Sequence, residues 1–302
     1  MSLNENARGP LVWLDMDQSA LDAAYDQTVW APNQGVVAER RNAAAADAYA
    51  RLKRQRVSYG ATPIEAFDLY SCGADRAPIV IFIHGGAWRA GDASVFAHLA
   101  EPIMAMGAHA AILDFTNIDP VDGHLEIMAG QVRAGVAHII RNCVQLGGDP
   151  ARIFVMGHSS GAHLSSCVLT NDWAAYGLPV SPLAGVLLMS GMYELEPVRR
   201  SKRSLYVKFT DGLVQDLSAI RHLDRIHCPV VVCHGTQESP EFIRQAQEFA
   251  AALKNVGKQV ELIVVQSANH FEMLETFHNP FGFVGRAASH LVKNASRLVK
   301  NA

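Results

Sequence analysis

The chain has 302 residues, of which 49% are hydrophobic, and its 26 basic side chains nearly balance 29 acidic ones. That length and composition allow a large buried core. The net charge of −3 gives no reason to expect a nucleic acid or an anionic membrane surface as a partner, and no run of 18 uncharged apolar residues indicates a membrane span. We therefore expect a small-molecule substrate, and a homo-oligomer remains possible.

The cysteines and the first residues favour a cytoplasmic protein. Five cysteines are spread along the chain without a CxxC pair or a spacing typical of metal ligands: Cys72, Cys143, Cys167, Cys228 and Cys233. An odd number of scattered cysteines is typical of reduced, buried thiols. The opening MSLNENARGPLV lacks the apolar run of a secretory signal.

The first 54 residues form an N-terminal arm in our interpretation. An alanine-rich run at Asn42–Arg54 predicts a helix, and the arm also carries three aromatic residues, Tyr25, Trp30 and Tyr49. We predict that residues 1–54 contribute to a cap and that residues 55–302 form one catalytic domain.

After the arm, apolar runs alternate with helical patterns. Arg56–Tyr70 resembles a hairpin around Gly60, and the later strand candidates are Pro78–His84, His109–Asp114, Ile153–Gly157, Gly185–Leu188, Val230–His234 and Val260–Val265. Apolar residues at helical intervals predict helices at Glu126–Leu146, at Ala162–Leu169 and from Pro240 onward. Strands separated by helices require crossover connections, so the sequence predicts an α/β fold with a mostly parallel central sheet and helices on both faces.

The most informative motif is Gly157-His158-Ser159-Ser160-Gly161, which follows a predicted strand and precedes a predicted helix. In this strand–turn–helix context, the G-x-S-x-G pattern presents a nucleophilic serine on a sharp turn above the sheet. The pattern alone also occurs by chance, as a small-residue turn. The context favours Ser159 as a nucleophile at the N-terminus of a helix, where developing negative charge is stabilised.

A glycine-rich loop follows an earlier predicted strand and reads His84-Gly85-Gly86-Ala87-Trp88. A serine hydrolase needs two backbone N–H groups directed at the oxyanion, one from the residue after the nucleophile and one from such a loop. We assign these donors to Ser160 and to Gly86 or Ala87, while a plain connecting turn remains the simpler interpretation of the loop.

The general base and its acidic partner follow the last two predicted strands. His270 lies just beyond the strand at Val260–Val265, where the order serine, acid, histidine places the base. Glu238 lies three residues after Gly235 and is our choice for the carboxylate that orients the base. Glu241 is the alternative, although it could simply complement the dipole of a helix that begins at Pro240.

The segment from 190 to 225 is rich in charged and aromatic residues and is a candidate cap insertion; a solvated excursion is the alternative. Residues beside the site motifs suggest a substrate pocket with an aromatic face, formed by Gly85, Trp88, His158, Tyr193 and Phe271. Basic residues of the same segment, among them Arg199 and Arg200, could favour a carboxylate-bearing substrate.

These motifs together resemble the α/β-hydrolases of the hormone-sensitive-lipase-like, HGG-containing group. Within it the chain is most similar to the kynurenine formamidases. The matching motifs are HGGAW, GHSSGAH, Ser239-Pro240-Glu241-Phe242 and His270-Phe271-Glu272-Met273-Leu274-Glu275. The resemblance spans about residues 55–280. It implies the α/β-hydrolase fold, nucleophile Ser159, acid Glu238, base His270, and hydrolysis of a small aromatic amide or ester without a metal or organic cofactor.

Two departures from the formamidases concern the substrate. The acid is glutamate where aspartate is expected, and the loop Asp114–Asp119 lacks the asparagine-tyrosine-arginine pattern of the group. A general short-chain carboxylesterase is therefore the main alternative. A transferase with an alcohol acceptor would share the first half-reaction, and a non-catalytic binding protein would usually have lost one of the motifs.

Overall fold

The structure, a computed structural model, describes residues 9–298. Its strands are β1 Leu11–Trp13, β2 Met16–Asp17, β3 Gln55–Ser58, β4 Ala66–Tyr70, β5 Ala77–Ile83, β6 His109–Leu113, β7 Gly148–His158, β8 Gly185–Met189, β9 Val230–Gly235 and β10 Val260–Val265. Its α-helices are α1 Gln18–Ala24, α2 Gln34–Arg51, α3 Ala100–Ala105, α4 Leu125–Arg141, α5 Ser160–Leu169, α6 Glu196–Arg200, α7 Asp211–Leu217, α8 Pro240–Asn255, α9 Met273–His278 and α10 Phe283–Leu298.

Eight of the strands form one sheet in the order β10-β9-β8-β7-β5-β6-β4-β3. β4 runs antiparallel to both β3 and β6, and the other neighbouring pairs are parallel. Helices connect the parallel strands and cover the sheet. The predicted α/β-hydrolase fold with a mostly parallel sheet is confirmed.

The burial of the central strand β5 on both faces explains why its sequence is continuously apolar. Ile79, Ile81 and Ile83 belong to one buried cluster, and the intervening Val80 and Phe82 belong to another. Side chains alternate across a strand, so the two clusters lie on opposite faces of the sheet. Residues of α4, α5 and α8 pack in the first cluster, and residues of α3, α9 and α10 pack in the second.

Several predicted boundaries shift in the structure. The alanine-rich run is only the second half of α2, which begins at Gln34. The helix predicted at Glu126–Leu146 ends at Arg141, because the chain turns there and the Asn142 side chain donates a hydrogen bond to the carbonyl of His138. The strand predicted at Ile153–Gly157 extends from Gly148 to His158, since Gly148 already pairs with Ala77.

The arm and the segment 190–225 pack against each other. Gln18 of the arm donates a hydrogen bond of 2.8 Å to the carbonyl of Arg200, and Asp22 accepts one of 2.6 Å from the N–H of Lys202. Both pieces contribute to a cavity at the edge of the sheet where the strands β5, β7 and β10 end. Within residues 9–298, no helix combines the length and apolar character needed to cross a membrane.

Candidate active site

The predicted site residues meet at the carboxyl ends of neighbouring parallel strands. Ser159 follows β7, Glu238 follows β9 and His270 follows β10, while the glycine loop follows β5. Because β10, β9, β8, β7 and β5 are consecutive in the sheet, the loops after them converge at one edge. Open α/β sheets place their functional groups at this edge.

Ser159 occupies the sharp turn between β7 and α5. Its backbone has φ 58° and ψ −126°, a conformation that is strained for a residue with a side chain. The turn is tight because its flanking glycines approach other atoms closely. A Cβ on Gly161 would lie 2.1 Å from the carbonyl oxygen of Ile83, and one on Gly157 would lie 2.3 Å from Ser165 Oγ. The strained serine is thus presented at the start of α5.

A continuous line of hydrogen bonds joins Ser159, His270 and Glu238. The distance from Ser159 Oγ to His270 Nε2 is 2.8 Å, and that from His270 Nδ1 to Glu238 Oε2 is also 2.8 Å. A carboxylate only accepts, so Nδ1 carries the ring proton and Nε2 offers its lone pair to the serine hydroxyl. All three residues are at most 7% exposed. The arrangement can transfer the serine proton to the imidazole.

The second oxygen of Glu238 is held by two further donors. Oε1 accepts hydrogen bonds from Ser190 Oγ at 2.6 Å and from the N–H of Gly235 at 2.7 Å. These contacts fix the carboxylate in the plane that Nδ1 needs. Ser190, directly after β8, is a contributor that the sequence reasoning missed; its place at a strand end between two site strands was the available signal.

Glu241, the alternative acid, lies elsewhere. Its carboxylate accepts a hydrogen bond of 2.8 Å from Tyr25 Oη and two from Arg244. It therefore ties the N-terminal arm to α8, and among the described residues it has no contact with His270.

The glycine loop faces the Ser159 turn. A Cβ on Gly85 would lie 2.7 Å from the carbonyl of His158 and 3.0 Å from Ser159 Cβ, so only glycine allows this approach. Gly86, Ala87 and Trp88 all have positive φ. The N–H groups of Gly86 and Ala87 have no acceptor within residues 9–298, and the N–H of Ser160 is free of intrahelical bonds as the first residue of α5. The three predicted donors are thus unpaired beside Ser159.

Two buried histidines, both with neutral imidazole rings, hold the loops of the site in place. Burial lowers the pKa of His84 to about 4, and its ring is stacked between Phe96 and Phe115 while Nδ1 bonds to Gly85 O. Burial and the neighbouring His270 hold the pKa of His158 well below its usual range. His158 Nε2 donates to the carbonyl of His270 at 2.9 Å, which links the Ser159 turn directly to the loop that carries His270.

A cavity of about 820 Å³ opens onto Ser159 and His270. The arm, the glycine loop and the segment 190–225 all contribute to its wall. Residues beyond the site motifs include Tyr25, Gln27, Arg41, Asn42, Arg89, Phe96, Lys202, Arg203, Leu205 and Tyr206. Of the five residues predicted to form the substrate pocket, Gly85, His158 and Phe271 line this cavity.

The structure corrects the other two pocket residues. Trp88 is 2% exposed, contacts His163 edge-on and is not part of the cavity wall. Tyr193 is 1% exposed and stacks on Phe249 at a centroid distance of 4.4 Å. Both rings belong to the buried core on one face of the sheet. Adjacency in sequence to a site motif therefore did not predict which rings line the cavity. The rings of Phe96 and Tyr206 line it instead.

The structure also changes the interpretation of the basic residues in the segment 190–225. Arg199 pairs with Glu196 and Asp211, and Arg200 pairs with Glu196, so neither has a free charge. The cations in the cavity wall are Arg41, Arg89, Lys202 and Arg203. Lys202 and Arg203 belong to the basic segment considered from sequence, whereas Arg41 was not predicted, because only the folded arm brings it to the site.

Comparison with protein families gives two partial matches. The BD-FAE family model matches residues 67–174, and the prolyl oligopeptidase family model matches residues 134–281. Between them they include the glycine loop, the Ser159 turn and His270.

Individual relatives agree with these matches. The kynurenine formamidase of Danio rerio is 29% identical over 278 residues, which cover 87% of this chain and 92% of that protein. A probable isoprenylcysteine α-carbonyl methylesterase of Oryza sativa subsp. japonica is 25% identical over 74% of this chain and 59% of its own length.

Among solved structures, a putative thioesterase from Silicibacter sp. TM1040 superimposes with a TM-score of 0.75 at 23% identity, covering 88% of this chain and 97% of that one. At this identity the likeness shows the fold alone. The sequence relatives, the family matches and the fold together support a hydrolase of the α/β esterase type, similar to the hormone-sensitive-lipase-like group.

Proposed function

We propose that the chain is a serine hydrolase that cleaves a small aromatic amide or ester through an acyl-enzyme. Ser159 is the nucleophile, His270 the general base and acid, and Glu238 the carboxylate that orients the base. The observation that carries the proposal is the unbroken line of hydrogen bonds from Ser159 Oγ through His270 to Glu238 beside an open cavity.

In the first half-reaction, Ser159 Oγ attacks the substrate carbonyl carbon while its proton passes to His270 Nε2. Glu238 Oε2 keeps its bond to Nδ1 and stabilises the imidazolium. The oxyanion accepts hydrogen bonds from the N–H of Ser160 and from the Gly86–Ala87 loop. When the tetrahedral intermediate collapses, His270 returns the proton to the leaving amine or alcohol, and the acyl group remains on Ser159.

In the second half-reaction, water attacks the acyl-enzyme carbonyl. His270 takes a proton from this water and gives it back to Ser159 Oγ as the ester bond breaks. The products are the carboxylic acid and the free enzyme, so no cofactor is required by the balance of atoms and electrons. For a formamide substrate, the acid released is formate.

Two observations support an aromatic amide as substrate. The relative from Danio rerio is named a kynurenine formamidase. The cavity wall carries the rings of Phe96, Tyr206 and Phe271, and flat rings pack well against an aryl group. A general short-chain carboxylesterase is the second candidate, supported by the relative named a methylesterase.

The cytoplasm is the location that we propose. All five cysteines are free in the structure, which suits a reducing compartment.

The test is a panel of N-formylkynurenine, other aryl formamides and p-nitrophenyl acetate. We expect kcat/KM on the best aryl amide to exceed that on the simple ester by about tenfold or more, which corresponds to about 1.4 kcal/mol in the barrier. A simple-ester preference of the same size would favour the carboxylesterase.

The matched variants are Ser159→Ala and Ser166→Ala. Both remove a buried serine hydroxyl, but within residues 9–298 the Ser166 hydroxyl donates only to the carbonyl of His163, in the preceding turn of α5. Ser159→Ala should abolish turnover of every substrate while Ser166→Ala keeps it. Near-full activity of Ser159→Ala would exclude the proposed nucleophile.

A further inference from the structure

One ring nitrogen of His158, the residue before the nucleophile, has no hydrogen-bond partner. Nε2 bonds to the carbonyl of His270 at 2.9 Å, and because a carbonyl only accepts, Nε2 carries the ring proton. Burial and the neighbouring His270 hold the pKa of His158 well below its usual range, so the ring is neutral. Nδ1 therefore has a lone pair that accepts no hydrogen bond within residues 9–298.

This nitrogen can be reached from the cavity. Other ring nitrogens that lack partners, such as those of His84 and His163, are completely enclosed by the protein. Nδ1 of His158 is not enclosed in this way, and His158 lines the cavity that opens onto Ser159. A hydrogen-bond acceptor that a substrate can reach is thus left free beside the nucleophile.

The ring lies on the side of Ser159 where the leaving group must depart. The centroids of the His158 and His270 rings are 4.7 Å apart. A Cβ on Gly85 would lie 3.5 Å from His158 Nδ1 and 3.0 Å from Ser159 Cβ, so both atoms border the same small space. His270 gives its proton to the leaving atom, which must therefore lie close to His270 Nε2 and to the adjacent ring of His158.

An amide differs from an ester at this leaving atom. In the tetrahedral intermediate, the lone pair of the amide nitrogen must point at His270 Nε2, because the nitrogen takes a proton from it before the C–N bond breaks. The N–H bond of a secondary amide then points in another direction, and a donor left without an acceptor inside a closed site is costly. An ester oxygen has no hydrogen to donate.

We propose that His158 Nδ1 accepts a hydrogen bond from the N–H of the scissile amide, so that His158 contacts the substrate and favours secondary amides over esters. The bond holds the nitrogen lone pair toward His270, an orientation that matters most in the transition state. The N–H proton stays on the nitrogen, His270 supplies the second hydrogen of the departing amine, and His158 neither gains nor loses a proton. The proposal rests on the proposed function and narrows its substrate class to secondary aryl amides.

The competing explanation is structural. His158 Nε2 holds the loop that carries His270, so replacing His158 could slow every substrate by displacing the base. Such a loss would lower amide and ester hydrolysis equally. The test must therefore separate the two ring nitrogens and compare two substrates that differ only at the leaving atom.

The experiment compares formanilide with phenyl formate, which carry an N–H group and an oxygen, respectively, between the carbonyl and the ring. The measured quantity is the ratio of kcat/KM for the amide to kcat/KM for the ester. In His158→Gln, the side-chain amide can still donate to the His270 carbonyl, but it has no acceptor at the position of Nδ1. We expect the ratio to fall by about tenfold, which corresponds to about 1.4 kcal/mol in the barrier.

His158→Asn is the reciprocal variant. Its shorter side chain can place an amide oxygen near the position of Nδ1 but cannot reach the His270 carbonyl. Both substrates should slow, and their ratio should stay within about threefold of the wild-type value.

His163→Gln is the matched control. His163 also bonds through Nε2 to a backbone carbonyl, that of Leu217 at 3.1 Å, but it lies outside the cavity wall. This variant should leave the ratio within about twofold of the wild-type value. An unchanged ratio in His158→Gln overturns the proposal, and so does an equal fall in His158→Asn or in His163→Gln.

The wild-type chain supplies a second test that does not depend on the folding of a variant. N-methylformanilide has no N–H group. Its kcat/KM, divided by its rate of hydrolysis in hydroxide, should be about tenfold or more below the value for formanilide treated in the same way. Equal normalised values overturn the proposal. His158→Gln should reduce this difference, and a difference that persists undiminished in the variant would reflect only the bulk of the methyl group and counts against the proposal.

Labelling with a fluorophosphonate separates this inference from the proposed function. If the chain is labelled and hydrolyses both substrates, but the ratio in His158→Gln equals that of the wild type, only the inference fails. If the wild-type chain cleaves phenyl formate alone, the amide preference and the inference fail together. If it is neither labelled nor active, the serine-hydrolase mechanism itself fails.

Discussion

Replacing Glu238 by glutamine tests the orienting role of the carboxylate with almost no change in shape. The three donors around this side chain are His270 Nδ1–H, Ser190 Oγ–H and the N–H of Gly235. A carboxylate accepts from all three, but an amide has one oxygen and one NH2 group. The amide therefore has two possible orientations in this buried site.

In one orientation the amide oxygen replaces Oε1 and keeps the bonds from Ser190 and Gly235. The NH2 group then faces His270 Nδ1, which must become an acceptor, so the ring proton moves to Nε2 and the base can no longer accept from Ser159. In the other orientation the NH2 group faces the N–H of Gly235 at about the present 2.7 Å, and a backbone donor cannot reverse. Leaving such a buried group unsatisfied costs about 1–3 kcal/mol, so the first orientation and the wrong tautomer should predominate.

We expect Glu238→Gln to lower kcat by about 10³- to 10⁴-fold, which corresponds to about 4–5.5 kcal/mol in the barrier. The assay is steady-state hydrolysis of p-nitrophenyl acetate, with circular dichroism to verify folding. Glu241→Gln is the matched control, because Glu241 bonds to Tyr25 and Arg244, and its kcat should stay within about threefold of the wild type. Retention of more than about a tenth of kcat by Glu238→Gln, or a larger loss in Glu241→Gln, would refute the reasoning.

Four further predictions follow from individual contacts. Gly85→Ala should lower kcat about 10²- to 10³-fold, since its Cβ would press on His158 O and Ser159 Cβ and displace an oxyanion donor; kinetics equal to the wild type would contradict this. Tyr193→Phe should change kcat/KM less than about twofold because the ring stacks on Phe249 in the core. A large change in KM would instead indicate that Tyr193 contacts the substrate. Gly130→Ala should raise the free energy of unfolding by about 1 kcal/mol in urea titrations, because α4 has open space at this position. Burial lowers the pKa values of His84 and His163 to about 4 from 6.5; the unfolded chain therefore takes up protons first as pH falls below about 6.5, and each histidine should remove up to about 1.4 kcal/mol of stability per pH unit down to about pH 4. Urea titrations at several pH values check this, and a free energy of unfolding that is constant between pH 6.5 and 5 would contradict it.

The parts of the fold that the sequence predicted well are those with local signals. β5 and the second half of β7, from Ile153, are buried on both faces, so their apolar runs were unmistakable, and the glycines of the G-x-S-x-G turn are required by close contacts. His270 and Glu238 could be located because parallel strands bring their carboxyl ends together in a known order. What remained open was the choice between Glu238 and Glu241, which depends on side-chain direction after β9.

The features that the sequence did not predict depend on contacts between distant segments. Arg41 lines the same cavity as Arg203, 162 positions later in the chain, only because the arm packs on the segment 190–225. The prediction that Trp88 and Tyr193 line the pocket was wrong for a related reason, because adjacency to a motif does not determine the direction of a ring. Ser190 follows β8 and donates a hydrogen bond to Glu238, which follows the neighbouring strand β9. Nothing in the local sequence of Ser190 distinguishes it from an ordinary strand end.

The most direct test of the serine mechanism is covalent labelling. The folded protein is treated with a fluorophosphonate, digested, and mapped by mass spectrometry, with Ser159→Ala treated in parallel. We predict a single stoichiometric adduct on Ser159 and none in the variant. An adduct on another residue, or an unlabelled wild-type protein, would contradict the assignment of Ser159 as the nucleophile.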